Sequence, residues 1–171
     1  MNAAASPIIS AAGEKDAPEI ARLAGIIWRE CYPGIISHEQ IDYMLARMYD
    51  IEVLRQEMRD GIRFDLLLVN NAAAGFSSYG RIEPPEVIKL HKLYLLPALH
   101  GRGLGTLLLK HCERESRAMG ARRLILNVNK RNTGAIRAYE RNGFNIVESV
   151  VAGIGGDFVM DDYVMRKELV G

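Results

Sequence analysis

The chain has little cysteine, a single tryptophan and no excess of charge of either sign, and each shortage removes a class of protein. Two cysteines, Cys31 and Cys112, are too few for a disulfide framework and lack the spacing of a metal site. They read as packing residues. The four histidines, at 38, 91, 100 and 111, form no ligand cluster, so no metal is expected. A formal net charge of +1, with no run of Lys or Arg, offers no field for a long polyanion; neither nucleic acid nor an anionic membrane surface is an expected partner. No apolar run approaches the roughly 20 residues that span a bilayer. The first residues, Met1 to Ser6, lack the basic start and apolar core of a signal peptide, and a cytoplasmic location is expected.

What is present suffices for one core. With 171 residues, of which 49% are hydrophobic, residues 1–171 are expected to form a single domain, with residues 1–7 loose at its start. Pro7-Ile8-Ile9-Ser10 reads as a short first strand. Asp16 as cap, with Glu19 reaching back, opens a helix whose buried face is Ile20, Leu23, Ala24 and Ile27. Ser37 repeats the capping logic before a second helix with Ile41, Met44, Leu45 and Met48 inside, and a third helical stretch runs from about Ile51 to Asp60. Phe64 to Val69 and Ala74 to Tyr79 flank Asn70-Asn71 as a hairpin. The next strand, Val87 to Leu95, alternates, with Val87, Lys89, His91, Leu93 and Leu95 on one face and Ile88, Leu90, Lys92 and Tyr94 on the other. Beyond it come a helix with Leu104, Leu107, Leu108 and Cys112 inside, a strand at Leu124–Val128, a helix at Thr133–Asn142, and closing strands near Phe144–Val151 and Phe158–Lys167. This order predicts an α/β (α+β) domain with a mixed sheet flanked by helices.

The densest signal is His100-Gly101-Arg102-Gly103-Leu104-Gly105-Thr106, a glycine-rich turn between an apolar strand and an amphipathic helix. Backbone N–H groups at a helix N-terminus lack intrahelical partners and carry the positive end of the helix dipole, so such a turn suits a phosphate or pyrophosphate. A dinucleotide fingerprint needs a third glycine where Thr106 stands, and a P-loop needs Lys then Ser or Thr where Leu107 and Leu108 stand. Neither known loop fits.

With the segments around it, the turn resembles the motif of the GNAT superfamily of acetyl-CoA-dependent N-acetyltransferases. Gly103 and Gly105 fill the glycine places and His100 stands where Gln or Arg is usual. The resemblance continues through Lys92 to Pro97, Leu126 to Asn129, and Asn132 to Phe144, about a third of the chain in the family's order. It implies the GNAT fold, with a mostly antiparallel sheet of six or seven strands, and acetyl-CoA as cosubstrate. By this resemblance the backbone amides from Arg102 to Thr106, in the turn begun by His100 and Gly101, hold the pyrophosphate. The backbone of Leu93, Tyr94 and Leu95 takes the pantetheine arm. Asn132 contacts the cofactor, and Tyr139 protonates the departing thiolate. Asn132 and Tyr139 lie seven residues apart, nearly two helical turns, and so share one side of their helix.

The base that takes the amine's proton is less defined. His91, near the place where family members carry a strand carboxylate, is the first candidate, because an imidazole accepts a proton directly or through water near neutral pH. Three carboxylates, Asp157, Asp161 and Asp162, sit near the glycines at 153, 155 and 156 and could draw in a cationic acceptor, and Trp28, Tyr32, Tyr43 and Tyr49 lie where the family shapes acceptor choice. The ending, with Tyr32-Pro33-Gly34, loosely resembles a bacterial subgroup related to polyamine acetyltransferases. The expected acceptor is a small-molecule amine such as a polyamine or amino-acid derivative. A protein N-terminus, and a CoA-binding sensor without turnover, are the alternatives. The last strand can pair within the chain or across two copies, which leaves a homodimer open.

Overall fold

The computed structural model describes residues 6–169. Of the segment expected to be loose, residues 1–5 lie outside the described residues. Seven strands, β1 (Ile8–Ala12), β2 (Arg63–Val69), β3 (Ala72–Ile82), β4 (Val87–Leu95), β5 (Arg123–Asn129), β6 (Asn145–Gly155) and β7 (Phe158–Glu168), form one sheet in the order β1-β2-β3-β4-β5-β7-β6. Only β4 and β5 run parallel, because a helix crosses over between them; the other neighbours are antiparallel. Helices α1 (Ala17–Cys31), α2 (His38–Met48) and α3 (Ile51–Arg59) pack on one face, and α4 (Leu104–Ala118) and α5 (Thr133–Arg141) on the other, each over its own apolar cluster. The expected mixed sheet is the one that forms. No helix of the described residues is long and apolar enough to cross a membrane.

Local signals act mostly where the sequence places them. Asn70 and Asn71 turn the β2–β3 hairpin with φ of 53° and 62°, the left-handed pair that a two-residue hairpin requires. The Ser37 hydroxyl accepts from the Gln40 N–H at 3.1 Å and opens α2. At α1 the expected capping box moves: Asp16 caps a preceding 3-10 turn, accepting from the Gly13 N–H at 2.9 Å, while Glu19 binds Arg22 instead. The extra turn draws the carboxylate one step upstream. In α4 the buried stripe is Leu108, Leu109, Cys112, Glu113 and Ser116, and Leu107 is exposed; the helix is rotated from the expected face so that the i, i+4 set from Leu108 meets the sheet.

The strand alternation expected for β4 fails at one residue. Ser78 of β3 pairs with Lys92 and Tyr79 with Leu90, so His91 has no partner and is a β-bulge. An inserted residue shifts the phase of everything after it. Ile88, Leu90 and Leu93 therefore pack on the α4–α5 side, while Lys92 and Tyr94 reach the α1–α3 side, where Lys92 is buried against Glu57 at 3.0 Å and lies over the Tyr49 and Phe64 rings. Strand β7 lies between β5 and β6, so the last strand pairs within the chain, and β1 and β6 form the two edges.

Candidate active site

The sheet comes apart at one place. Strands β4 and β5 pair only from Val87↔Arg123 to Leu90↔Leu126. Past that point β4 stays bonded to β3 as far as Leu95↔Gly75, and β5 stays bonded to β7 as far as Asn129↔Asp162, so the two strands diverge into a wedge. The bulge at His91 sits where the wedge begins, and bulges increase local twist. Gly75 holds the far end of β4 closely: a Cβ there would lie 2.6 Å from both the Tyr94 carbonyl oxygen and Leu95 Cδ2.

The glycine turn closes over the mouth of this wedge. After β4, a 3-10 turn at Pro97–Leu99 leads to His100, whose Nε2 lies 3.1 Å from the Leu95 carbonyl oxygen. Gly101 and Gly103 both have left-handed φ, 78° and 76°, a conformation costly for any residue with a Cβ. Gly103 is the N-cap of α4 and supplies no side-chain acceptor for the first amides of that helix. Gly105 packs on the end of β4, where a Cβ would stand 3.4 Å from Leu95. Gly101, Arg102, Gly103 and Thr106 are exposed, and the Thr106 hydroxyl is 3.4 Å from the Asn142 amide at the end of α5.

Phenols gather inside the wedge. The Tyr32 hydroxyl, at the end of α1, lies 3.3 Å from that of Tyr94, and Trp28 stacks on Tyr32 with ring centroids 4.4 Å apart. Asn132 caps α5, accepting from the Ala135 N–H at 3.3 Å, and its side chain lowers the Tyr32 phenol against the larger raising effect of burial. Tyr139, two turns on, packs edge-on against Phe144 at 5.7 Å and senses Tyr32 and Cys112. Burial, reinforced by those two neighbours, pushes the Tyr139 phenol well above its ordinary range, and burial likewise raises Tyr32, Tyr49 and Tyr94. All four are neutral at physiological pH.

Residues 24–144, more than two thirds of the chain, match the acetyltransferase (GNAT) family. The chain belongs to the GNAT acetyltransferase family. An uncharacterized N-acetyltransferase of Mycobacterium tuberculosis is 39% identical over 156 residues, covering 91% of this chain and 99% of that protein. A spermidine N(1)-acetyltransferase of Thermoplasma acidophilum is 28% identical over 151 residues, covering 86% of this chain and 91% of its own. The same fold appears in the PaiA N-acetyltransferase of Thermoplasma acidophilum, solved in complex with coenzyme A, with a TM-score of 0.83 at 24% identity over 95% of this chain and 99% of that one. This GNAT chain is an acyltransferase of the N-acetyltransferase kind.

In this acetyltransferase Leu93, Tyr94 and Leu95, the turn from His100 to Thr106, Asn132 and Tyr139 all border one wedge and its mouth. His91 stands at the wedge's start but is exposed, and not on a common face with Leu93 as the simple alternation predicts, because it is the bulged residue itself. Partial desolvation at the bulge, then the charges of Lys89 and Lys92, push its imidazole down to about 4. It is a neutral acceptor at pH 7 and a weak base. The cysteines lack activation: burial pushes the Cys112 thiol up to about 12, and burial also raises Cys31.

Sequence reasoning did not separate two neighbouring carboxylates of β7. Asp162 is 3% exposed at the inner end of the β5–β7 ladder, whereas Asp161 beside it is exposed and bound to Lys130. Strand periodicity could have separated the two, since neighbouring residues point to opposite faces.

Proposed function

We propose that the chain transfers the acetyl group of acetyl-CoA to a primary amine of a small molecule, by direct attack within a ternary complex. The observation that carries this reading is the coincidence, at one end of β4, of a parted pair of strands and an uncapped helix N-terminus. The parted edge suits an extended amide-bearing arm, and the helix end suits its pyrophosphate. The solved PaiA relative in complex with coenzyme A supports the cofactor, and the spermidine N(1)-acetyltransferase relative supports a small amine as acceptor.

The residues divide the work. Backbone amides from Arg102 to Thr106, in the turn opened by His100 and Gly101, with Leu104 and Gly105 in the first helical turn, bind the pyrophosphate. The backbone of Leu93, Tyr94 and Leu95 aligns the pantetheine arm, and Asn132 fixes its far side. Bound in this way, acetyl-CoA supplies an activated thioester carbonyl. Tyr139 donates its proton to the leaving sulfur. Its raised phenol is no obstacle, because a thiolate formed in the same dry pocket is destabilised by the same loss of water, which keeps donor and acceptor matched. His91, neutral and open to solvent, passes the amine's proton to water.

Calorimetric titration with acetyl-CoA, CoA and ATP, followed by release of free CoA thiol on adding a panel of amines, tests the reading. Acetyl-CoA binding with amine-dependent thiol release is the expected result. Binding without release favours a sensor, and absence of CoA binding refutes the proposal.

A further inference from the structure

Beyond Leu90↔Leu126 no ladder joins β4 to β5, and side chains reach across between the two halves of the molecule instead. Two of them stand on α2: Gln40 Nε2 donates to the Val159 carbonyl at 2.8 Å, and the Tyr43 hydroxyl donates to the Ile154 carbonyl at 2.9 Å. These hold the helix. The loop before it, Tyr32 to Ser37, is held from the turn between β5 and α5, where the Arg131 guanidinium donates from Nη2 to the Gly34 carbonyl at 2.6 Å and from Nη1 to the Ile35 carbonyl at 2.9 Å. A planar fork on two successive carbonyls fixes direction as well as distance, which the point charge of a lysine does not.

Both ends of this bridge lead to the proposed site. On the arginine's side, the Asn129 side-chain oxygen accepts from the Arg131 N–H at 2.9 Å and the Asn129 carbonyl accepts from the Asn132 N–H at 2.9 Å, so one residue sets both the arginine and the cap of α5. On the loop's side, the Ile35 and Ile36 N–H groups donate to the Tyr32 carbonyl at 2.9 and 3.2 Å, which ties the loop to Tyr32, and the Tyr32 hydroxyl meets that of Tyr94 inside the wedge at 3.3 Å. A cavity of about 450 Å³ has Gly34, Ile35 and Ile36 on one wall and Asn129 and Arg131 on another, so the reach of the arginine sets its width. With the cofactor proposed to lie along the end of β4, the glycine turn and Asn132, the wall left for the amine is the one under Tyr32.

Taking the transfer proposed above as the chain's activity, we infer that Arg131 is a positioning residue: it latches the Tyr32–Ser37 loop to the β5–α5 turn and so keeps the amine's wall of the wedge in place. The arginine touches neither substrate in this role. The latched loop is the state competent to bind the amine. Freeing it lowers the competent fraction, which raises the amine's KM by that factor and leaves kcat at saturation as it was. The proposed contacts of acetyl-CoA do not pass through the loop, so its affinity does not depend on the latch.

The test compares wild type, Arg131→Lys and Arg131→Ala. Hydrogen exchange at the Ile35 and Ile36 amides reads the loop, and acrylamide quenching of Trp28 reads Tyr32, because Trp28 is the chain's single tryptophan, is 2% exposed and stacks on that phenol. Calorimetry gives the Kd for CoA, and thiol release from acetyl-CoA with spermidine and the rest of the amine panel gives KM and kcat. Arg131→Ala should speed exchange at both amides, open Trp28 to the quencher and raise the amine's KM about 10-fold, the loss expected for charge-assisted hydrogen bonds at an exposed site, with kcat and CoA affinity unchanged. Arg131→Lys keeps the charge without the fork and should fall between the two. Wild-type exchange and wild-type KM in Arg131→Ala overturn the inference, as does a rise in KM matched by an equal loss of CoA affinity. A lower Tm with KM unchanged makes the arginine a surface stability contact and overturns it too. A wild type that releases no thiol with any amine overturns the transfer reaction instead, and exchange and quenching still decide the latch.

Discussion

Replacing Gly75 by alanine tests whether the end of β4 is held in place by contact rather than by hydrogen bonds alone. The new Cβ would lie 2.6 Å from the Tyr94 carbonyl oxygen and from Leu95 Cδ2, against an ordinary contact of 3.4 Å or more, so a gap of about 0.8 Å must open. The leucine tip can rotate away. The carbonyl cannot, because Gly75 and Leu95 are paired in the β3–β4 ladder and the Leu96 N–H donates to the Ala74 carbonyl at 2.9 Å. Either β3 bends or the last residues of β4 shift into the wedge. Overpacking of this kind costs about 1–3 kcal/mol. For a chain of this size that is a fall in Tm of about 2–12 °C, taking about 2–4 °C for each kcal/mol. Tyr94 and Leu95 are the residues proposed to align the pantetheine arm, and a misplacement near 1 Å can lower a rate by about 100-fold. Thermal denaturation, acetyl-CoA calorimetry and steady-state thiol release on Gly75→Ala therefore report on the same displacement. Gly153→Ala, where a Cβ meets nothing within 4 Å, is the control and should behave as wild type. A Gly75→Ala protein with wild-type Tm and wild-type kcat/KM would refute the reasoning.

Tyr139→Phe should lower kcat by about 100-fold or more while acetyl-CoA binding, measured by calorimetry, is unchanged; a full chemical-step rate in single turnover would remove Tyr139 as the proton donor. The His91 imidazole should titrate near pH 4 by NMR, and a midpoint near the ordinary value of about 6.5 would contradict its desolvation at the bulge, the larger cause, and the added effect of the Lys89 and Lys92 charges. Lys92→Ala strips Glu57 of its partner inside the α1–α3 cluster and should cost about 2–3 kcal/mol by chemical denaturation, less than a fully buried pair because Glu57 is 28% exposed. Asp162→Asn should carry a pH-dependent stability gain. The native carboxyl is raised above its ordinary value of about 4, so the folded state binds more protons than the unfolded one between those two values, and ionising Asp162 costs stability at higher pH. The variant's Tm advantage should be present at pH 7 and vanish as the pH falls below about 4.

Much of this protein is decided by signals that act over a few residues. The paired asparagines at 70 and 71 tolerate the φ above zero that a two-residue hairpin turn requires; Ser37 caps a helix with its own hydroxyl; Gly101 and Gly103 permit a left-handed turn before α4. These choices, with the apolar periodicities between them, determine the elements, their order and the glycine N-cap that leaves the start of α4 without a side-chain cap. Other features were settled only when the strands met. His91 became a bulge because β3 and β4 differ by one residue between their paired segments, and no periodicity within β4 contains that mismatch. The bulge then sent Lys92 into the α1–α3 cluster and opened the wedge at its own position. Tyr32 and Tyr94, 62 residues apart, share a hydroxyl contact because α1 ends over that wedge, and Asp162 became a buried, unpaired carboxylate because β7 lies inside the sheet rather than at its edge. The sequence by itself determined where donors and turns would be. Tertiary structure decided which of them face one another and which lose their water, since both depend on strand register and on packing between segments far apart in the chain.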